Sequence, residues 1–110
     1  MKNQSDVSAT IASLRKEVKQ FVEGRKWQSY HKPKDLAIAI ATEAAELLEL
    51  FLWRDELRPK DVSAVRREMA DILIYLLSLS NTLSIDLAGS VIEKIKVNAV
   101  KYPVGASRRW

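Results

Sequence analysis

Two apolar stretches dominate this chain, and each carries acids where charge is least expected. Leu36 to Trp53 reads LAIAIATEAAELLELFLW, and once Thr42 is set aside its polar residues are Glu43, Glu46 and Glu49. Met69 to Leu79 reads MADILIYLLSL, with Asp71 its one charge and Glu68 immediately before it. A helix that is apolar on nearly every side is normally buried on nearly every side, so the two stretches are expected to form the centre of an all-α fold. A bare carboxylate in such surroundings is costly unless it takes up a proton or meets a partner.

The spacing supplies a partner. Residues three apart on a helix lie roughly 60° apart around its axis, so Glu43 with Glu46, and Glu68 with Asp71, each project as one claw. Two claws on antiparallel helices can face each other and hold hard cations. With four carboxylates, no cysteine and a single histidine, the donors are almost all oxygen, which suits Mg²⁺ with Mn²⁺ as a substitute and disfavours a closed structural Zn²⁺ site. Magnesium keeps positions open for phosphate oxygens, so a phosphate-bearing substrate is expected. The alternative is a solvated acidic stripe, or pairing with Arg66, Arg67 and Lys94.

The rest of the chain reads as helix punctuated by three glycines and three prolines. Ile11, Leu14, Val18, Phe21 and Val22 recur at helical steps and predict a first helix from about Val7 to Arg25. The ring-rich segment KWQSYHKPK, Lys26 to Lys34, follows as a loop, and Asp35 is the expected cap of a second helix reaching about Arg54. Asp61 or Ser63 would cap a third helix ending near Leu83. Ser84 or Asp86 would open a fourth, ending near Tyr102, and the tail from about Val104 is expected to be flexible. Nothing marks a second domain, so residues 1–110 read as one unit.

The absence of cysteine and of an apolar leader makes a cytoplasmic setting natural. The apolar runs are too short and too interrupted to span a bilayer. A net charge of +4 invites a nucleic-acid reading, but the basic residues lie at the ends and in the loops while the centre is acidic. A basic rim around an acidic centre fits a polyphosphate nucleotide, and no stable nucleic-acid or membrane partner is expected. Leu47, Leu48, Leu50, Phe51 and Leu52, with Leu73, Ile74, Leu76, Leu77 and Leu79, supply more apolar faces than one small bundle can cover. At least a symmetric dimer is therefore expected.

Taken in order, these pieces resemble a known family. Trp27-Gln28-Ser29-Tyr30-His31-Lys32-Pro33-Lys34-Asp35, Glu43-Ala-Ala-Glu46-Leu-Leu-Glu49-Leu-Phe-Leu-Trp53, Glu68-Met-Ala-Asp71 and Asn98-Ala-Val-Lys101-Tyr102-Pro103 together look like the MazG-like nucleotide pyrophosphohydrolases, nearest their dCTP pyrophosphatase-like branch. Thr42 departs from the pattern, since many members carry a further glutamate there.

The resemblance implies a four-helix bundle of the all-α NTP pyrophosphatase type, assembled as a dimer or dimer of dimers. It implies Mg²⁺-dependent conversion of a nucleoside triphosphate, with dCTP or a modified dCTP first, to the monophosphate and pyrophosphate in cleansing of the nucleotide pool. The rivals are the same chemistry on dUTP, dATP or many NTPs, and a non-catalytic helical interaction module. Glu43, Glu46, Glu68 and Asp71 would hold the metal, with Glu46 or Glu49 orienting the attacking water. Lys94, Asn98 and Lys101 share a face of the fourth helix and would meet phosphates and sugar, with Tyr102 beside them. The tail arginines Arg108 and Arg109 either close over the phosphates or, as is usual for tail arginines, are simply solvated. Trp27, Tyr30, His31 and Trp53 would line the base pocket.

Overall fold

Helix ends in this chain are written by local chemistry, and each is set by a small number of side chains. The computed structural model describes residues 4–106 and holds, among them, four α-helices and no strand. These are α1 (Ile11–Gly24), α2 (Pro33–Glu49), α3 (Pro59–Leu83) and α4 (Leu87–Lys101), with a short 3-10 turn at Gln28–Tyr30.

Helix α1 starts later than the expected Val7 because Thr10 and Ser13 close a reciprocal cap: Ser13 N–H donates to Thr10 Oγ1 (3.0 Å) and Thr10 N–H to Ser13 Oγ (2.9 Å). Helix α2 is capped at Lys32, not Asp35, since Pro33 takes the first helical position, where a missing N–H costs nothing. Asp35 lies in its first turn instead, facing the positive end of the helix dipole.

The same substitution of proline for a polar cap occurs at α3, where Pro59 leads and Asp61 accepts from the Arg58 N–H at 3.2 Å. Arg54 and Arg58 also pair with Asp61, at 2.9 and 3.0 Å, tying the α2–α3 connection to the start of α3. The Arg58 hydrogen bond, with the nearby Arg54 charge, holds the Asp61 carboxyl below its ordinary range. Asp86 caps α4 as expected, accepting from Gly89 N–H.

Helix α2 ends at Glu49 and not near Arg54. Beyond it Leu50, Phe51 and Leu52 donate three residues back, to Leu47, Leu48 and Glu49, so the chain tightens into turns and leaves the helical path.

Packing centres on α3. Helices α2 and α1 lie against it, with Leu36 and Leu77 fully buried and Val22 buried nearly as well. A polar clamp locks α1 to α3: Arg15 donates through Nε to Asn81 Oδ1 (3.0 Å) and through a second nitrogen to Ser80 O (3.3 Å), while Asn81 Nδ2 donates to Arg15 O (2.9 Å).

Helix α4 behaves differently. Ser84 adopts the left-handed conformation (φ 54°) and the chain turns so sharply that the axes of α3 and α4 differ by 102°. Val91, Ile92, Ile95, Val97 and Val100 of α4 all stand exposed, and among the described residues α4 packs only sparsely against the other helices. The expected all-round burial of the central helices is likewise incomplete, since Ile38, Leu48, Met69 and Ile74 remain exposed. No single helix among the described residues is long and apolar enough to cross a membrane.

Candidate metal centre and adjoining groove

The packing of α2 on α3 brings three of the four expected acids to one point. One carboxylate oxygen from each of Glu43, Glu68 and Asp71 lies within 4.8 Å of the others. Glu43 and Glu68 are half-buried, and each has one oxygen, Oε2, shielded from solvent and without a hydrogen-bond partner. Two carboxylates are both acceptors, so neither can satisfy the other. Only a proton or a cation between them can.

The proton is the chain's own answer. Hydrogen bonding to Glu68, then to Glu46, with burial and like-charge repulsion added, pushes Glu43 from 4.5 up to about 7. Among the described residues the ion pairs are those of Arg54 and Arg58 with Asp61, and none involves the acidic cluster. Arg67 instead donates to Ser63 Oγ. Pairing with basic side chains therefore does not account for these acids, and the donor set fits a hard divalent cation.

Glu46 neighbours Glu43 closely enough to raise its pKa, yet it is exposed and stands outside the close trio. Glu49, in the last turn of α2, is exposed as well. Thr42 turns its hydroxyl to Ile38 O at 2.9 Å, a bond within its own helix.

Beside the cluster runs a groove of about 570 Å³ between α1 and α3, with Asp71 in its wall. Its other walls are largely apolar and aromatic, including Phe21, Trp27, His31, Ile74 and Tyr75. Phe21 and Trp27 meet edge to face with centroids 5.7 Å apart, and the Arg25 guanidinium lies 3.6 Å over the Phe21 ring. His31 is held by Ser78, Nδ1 to Oγ 2.9 Å, and leans on Tyr75 with centroids 6.4 Å apart.

The expected site residues thus divide. Trp27 and His31 reach the groove. Tyr30, 72% exposed, and Trp53, 95% exposed, line no part of it. Lys94, Asn98, Lys101 and Tyr102 also lie outside the groove and the acidic trio, Asn98 and Tyr102 half-buried, with Lys101 Nζ 5.4 Å from the Tyr102 ring centroid. Arg108 and Arg109 fall outside the described residues.

Phe21, Tyr75 and Ser78 were not among the expected site residues. Tyr75 had a legible signal, standing four residues after Asp71 and so on the same helical face. Ser78 had none, because its contact is with a loop far away in sequence.

Comparison with known proteins identifies the family. The MazG-like family model matches residues 38–109. The dCTP pyrophosphatase 1 of Rattus norvegicus is 35% identical over 106 residues, covering 90% of this chain and 62% of that protein. The dCTP pyrophosphatase 1 of Homo sapiens is 31% identical over 106 residues, again covering 90% of this chain and 62% of its own length. The chain therefore spans about three fifths of these relatives. A crystal structure of a pyrophosphatase from Archaeoglobus fulgidus superposes with a TM-score of 0.72 at 32% identity, covering 94% of this chain and 98% of that one. With most of its length matched by the family model, the chain belongs to the MazG-like family.

Proposed function

We propose that the chain is a Mg²⁺-dependent nucleoside triphosphate pyrophosphohydrolase that converts dCTP, or a modified dCTP, to the monophosphate and pyrophosphate. The observation that carries this reading is the acidic trio with its two unpartnered buried oxygens, one of whose members, Asp71, stands in the wall of a ring-lined groove. The substrate comes from the relatives named dCTP pyrophosphatase 1.

Glu43, Glu68 and Asp71, with Glu46 at their margin, would hold the metal, Mg²⁺ or Mn²⁺. Bound there, the cation would neutralise triphosphate charge and stabilise the departing pyrophosphate. The chain's own groups do the rest. Phe21, Trp27 and Tyr75 offer ring faces and edges to a base, while His31 adds a polar atom to that wall. Glu46 and Glu49, exposed on α2, are free to orient a water and accept its proton. Attack of that water on the α-phosphorus breaks the bond to the bridging oxygen, and the electron pair leaves with pyrophosphate.

The site is completed by a second copy. The apolar faces left open on α2, α3 and α4 are the surfaces a dimer, or dimer of dimers, would bury. Assembly would carry Lys94, Asn98 and Lys101 of one copy towards the acids of another, and would bring Trp53 and Tyr30 out of water.

Incubation with each common NTP and dNTP plus Mg²⁺, with monophosphate and pyrophosphate measured separately, tests the reading. The expected result is turnover strongest with dCTP or a modified dCTP, and at least about 100-fold lower in Glu43→Gln and Asp71→Asn. Release of orthophosphate with a diphosphate would reject attack at the α-phosphorus. Absence of turnover on any nucleotide would leave a non-catalytic helical module.

A further inference from the structure

His31 forms part of the walls of two cavities. One is the groove already described. The other is smaller and more polar, about 230 Å³, lined by Lys19, Glu23, Gln28, Ser78, Asn81 and Thr82 along with His31. The ring is fixed at this junction through one hydrogen bond, between Nδ1 and the hydroxyl of Ser78, which is 5% exposed.

The direction of that bond follows from the alternatives open to the hydroxyl. A serine or threonine inside a helix commonly turns its hydrogen to the carbonyl one turn back, as Thr42, Thr82 and Ser90 do here. Ser78 makes no such bond. Its oxygen has one side-chain partner, His31 Nδ1, and a buried hydroxyl hydrogen left without an acceptor is costly. A neutral imidazole that accepts at one nitrogen carries its hydrogen on the other.

We infer that Ser78 donates to His31 Nδ1, fixes the tautomer with the hydrogen on Nε2, and so makes His31 a hydrogen-bond donor to the base edge. The inference rests on the nucleotide reading above and deepens it. Ser78 is a positioning residue, and the ligand it favours is a base presenting an acceptor, such as the 2-carbonyl of a pyrimidine. In the groove, whose walls are mostly apolar, one oriented donor distinguishes an acceptor from a donor strongly, because a mismatch leaves both partners unsatisfied.

Two measurements test it. The ¹⁵N shifts of the His31 ring, recorded without nucleotide at about pH 8 where a free imidazole is neutral, are expected to show a protonated Nε2 and a bare Nδ1. In Ser78→Ala the ring should become a mixture of tautomers. The KM for dCTP should rise about tenfold with kcat little changed, as loss of one binding hydrogen bond predicts. Ser78→Thr, which keeps the hydroxyl, should restore both. A proton found on Nδ1 in the unaltered protein overturns the inference, as does a Ser78→Ala protein whose KM is unchanged. The tautomer is read without nucleotide, so failure of every protein to turn over dCTP would count against the pyrophosphohydrolase reading and the base-selecting role, while the direction of the Ser78 bond is decided separately.

Discussion

Glu43 is where the physics of this chain is most exposed to measurement. Its carboxyl titrates near 7 in the folded protein against 4.5 as a free side chain, chiefly because it shares a hydrogen bond with Glu68. A raised acid pKa means the folded state holds a proton that the unfolded state has lost. The stabilisation is therefore fully present below 4.5 and disappears as pH rises through about 7. Metal-free protein should show a melting midpoint that falls between about pH 5 and pH 8, with the slope reduced in Glu43→Gln. Mg²⁺ should raise the midpoint most at the alkaline end, where no proton has to be displaced, with about 2.7 kcal/mol of stabilisation at one hundred times its Kd. A flat profile in both proteins, indifferent to Mg²⁺, would remove the shared-proton picture. The acids themselves were legible because a three-residue spacing on a helix is a local property. The ring partners of His31 were not, since Ser78 and Tyr75 meet it only after α3 packs beside the loop.

At the scale of the element, the four helices could be read from the periodicity, whereas their exact ends could not. Proline at the first helical position displaced two polar caps, at Lys32–Pro33 and Arg58–Pro59, and the sequence pattern of an acid shortly after a proline fits either register. The direction of α4 was harder still. It depends on the left-handed turn at Ser84, a conformation usually taken by glycine, and nothing in the apolar pattern of α4 reveals that its face is open within the chain. A helix of 15 residues with little packing leans on its cap. Asp86→Ala should cost about 1 kcal/mol, as loss of an N-cap usually does. Hydrogen exchange should place that loss in the amides of α4 and leave α1 to α3 nearly unchanged. Equal loss of protection across all four helices would show instead that α4 unfolds together with the core.

The whole molecule exposes 9232 Å², whereas a compact monomer of 12.5 kDa is expected to expose about 6,200 Å². Its radius of gyration is 16.5 Å against about 13 Å for a compact chain of this length. Stable interfaces bury about 1,200–2,000 Å², so the excess leaves room for a second copy. Ile92 and Ile95 stand exposed on α4, the helix that also carries Lys94, Asn98 and Lys101, so in the composite site proposed above assembly and substrate contact would share one helix. If one copy supplies the acids and another the lysines, two inactive variants should repair each other. A Glu43→Gln chain keeps a sound α4, and a Lys94→Ala chain keeps a sound acidic trio. Mixed after partial denaturation and refolding, half of the dimers would be hybrids, each with one intact site, restoring about one quarter of the original sites. Light scattering should give at least twice 12.5 kDa for the hybrid as for the unaltered protein. If the lysine and the acids of a site belong to the same copy, each chain in the mixture carries a defect in its own site. Exchange then recovers nothing, and the composite site fails even though the dimer stands.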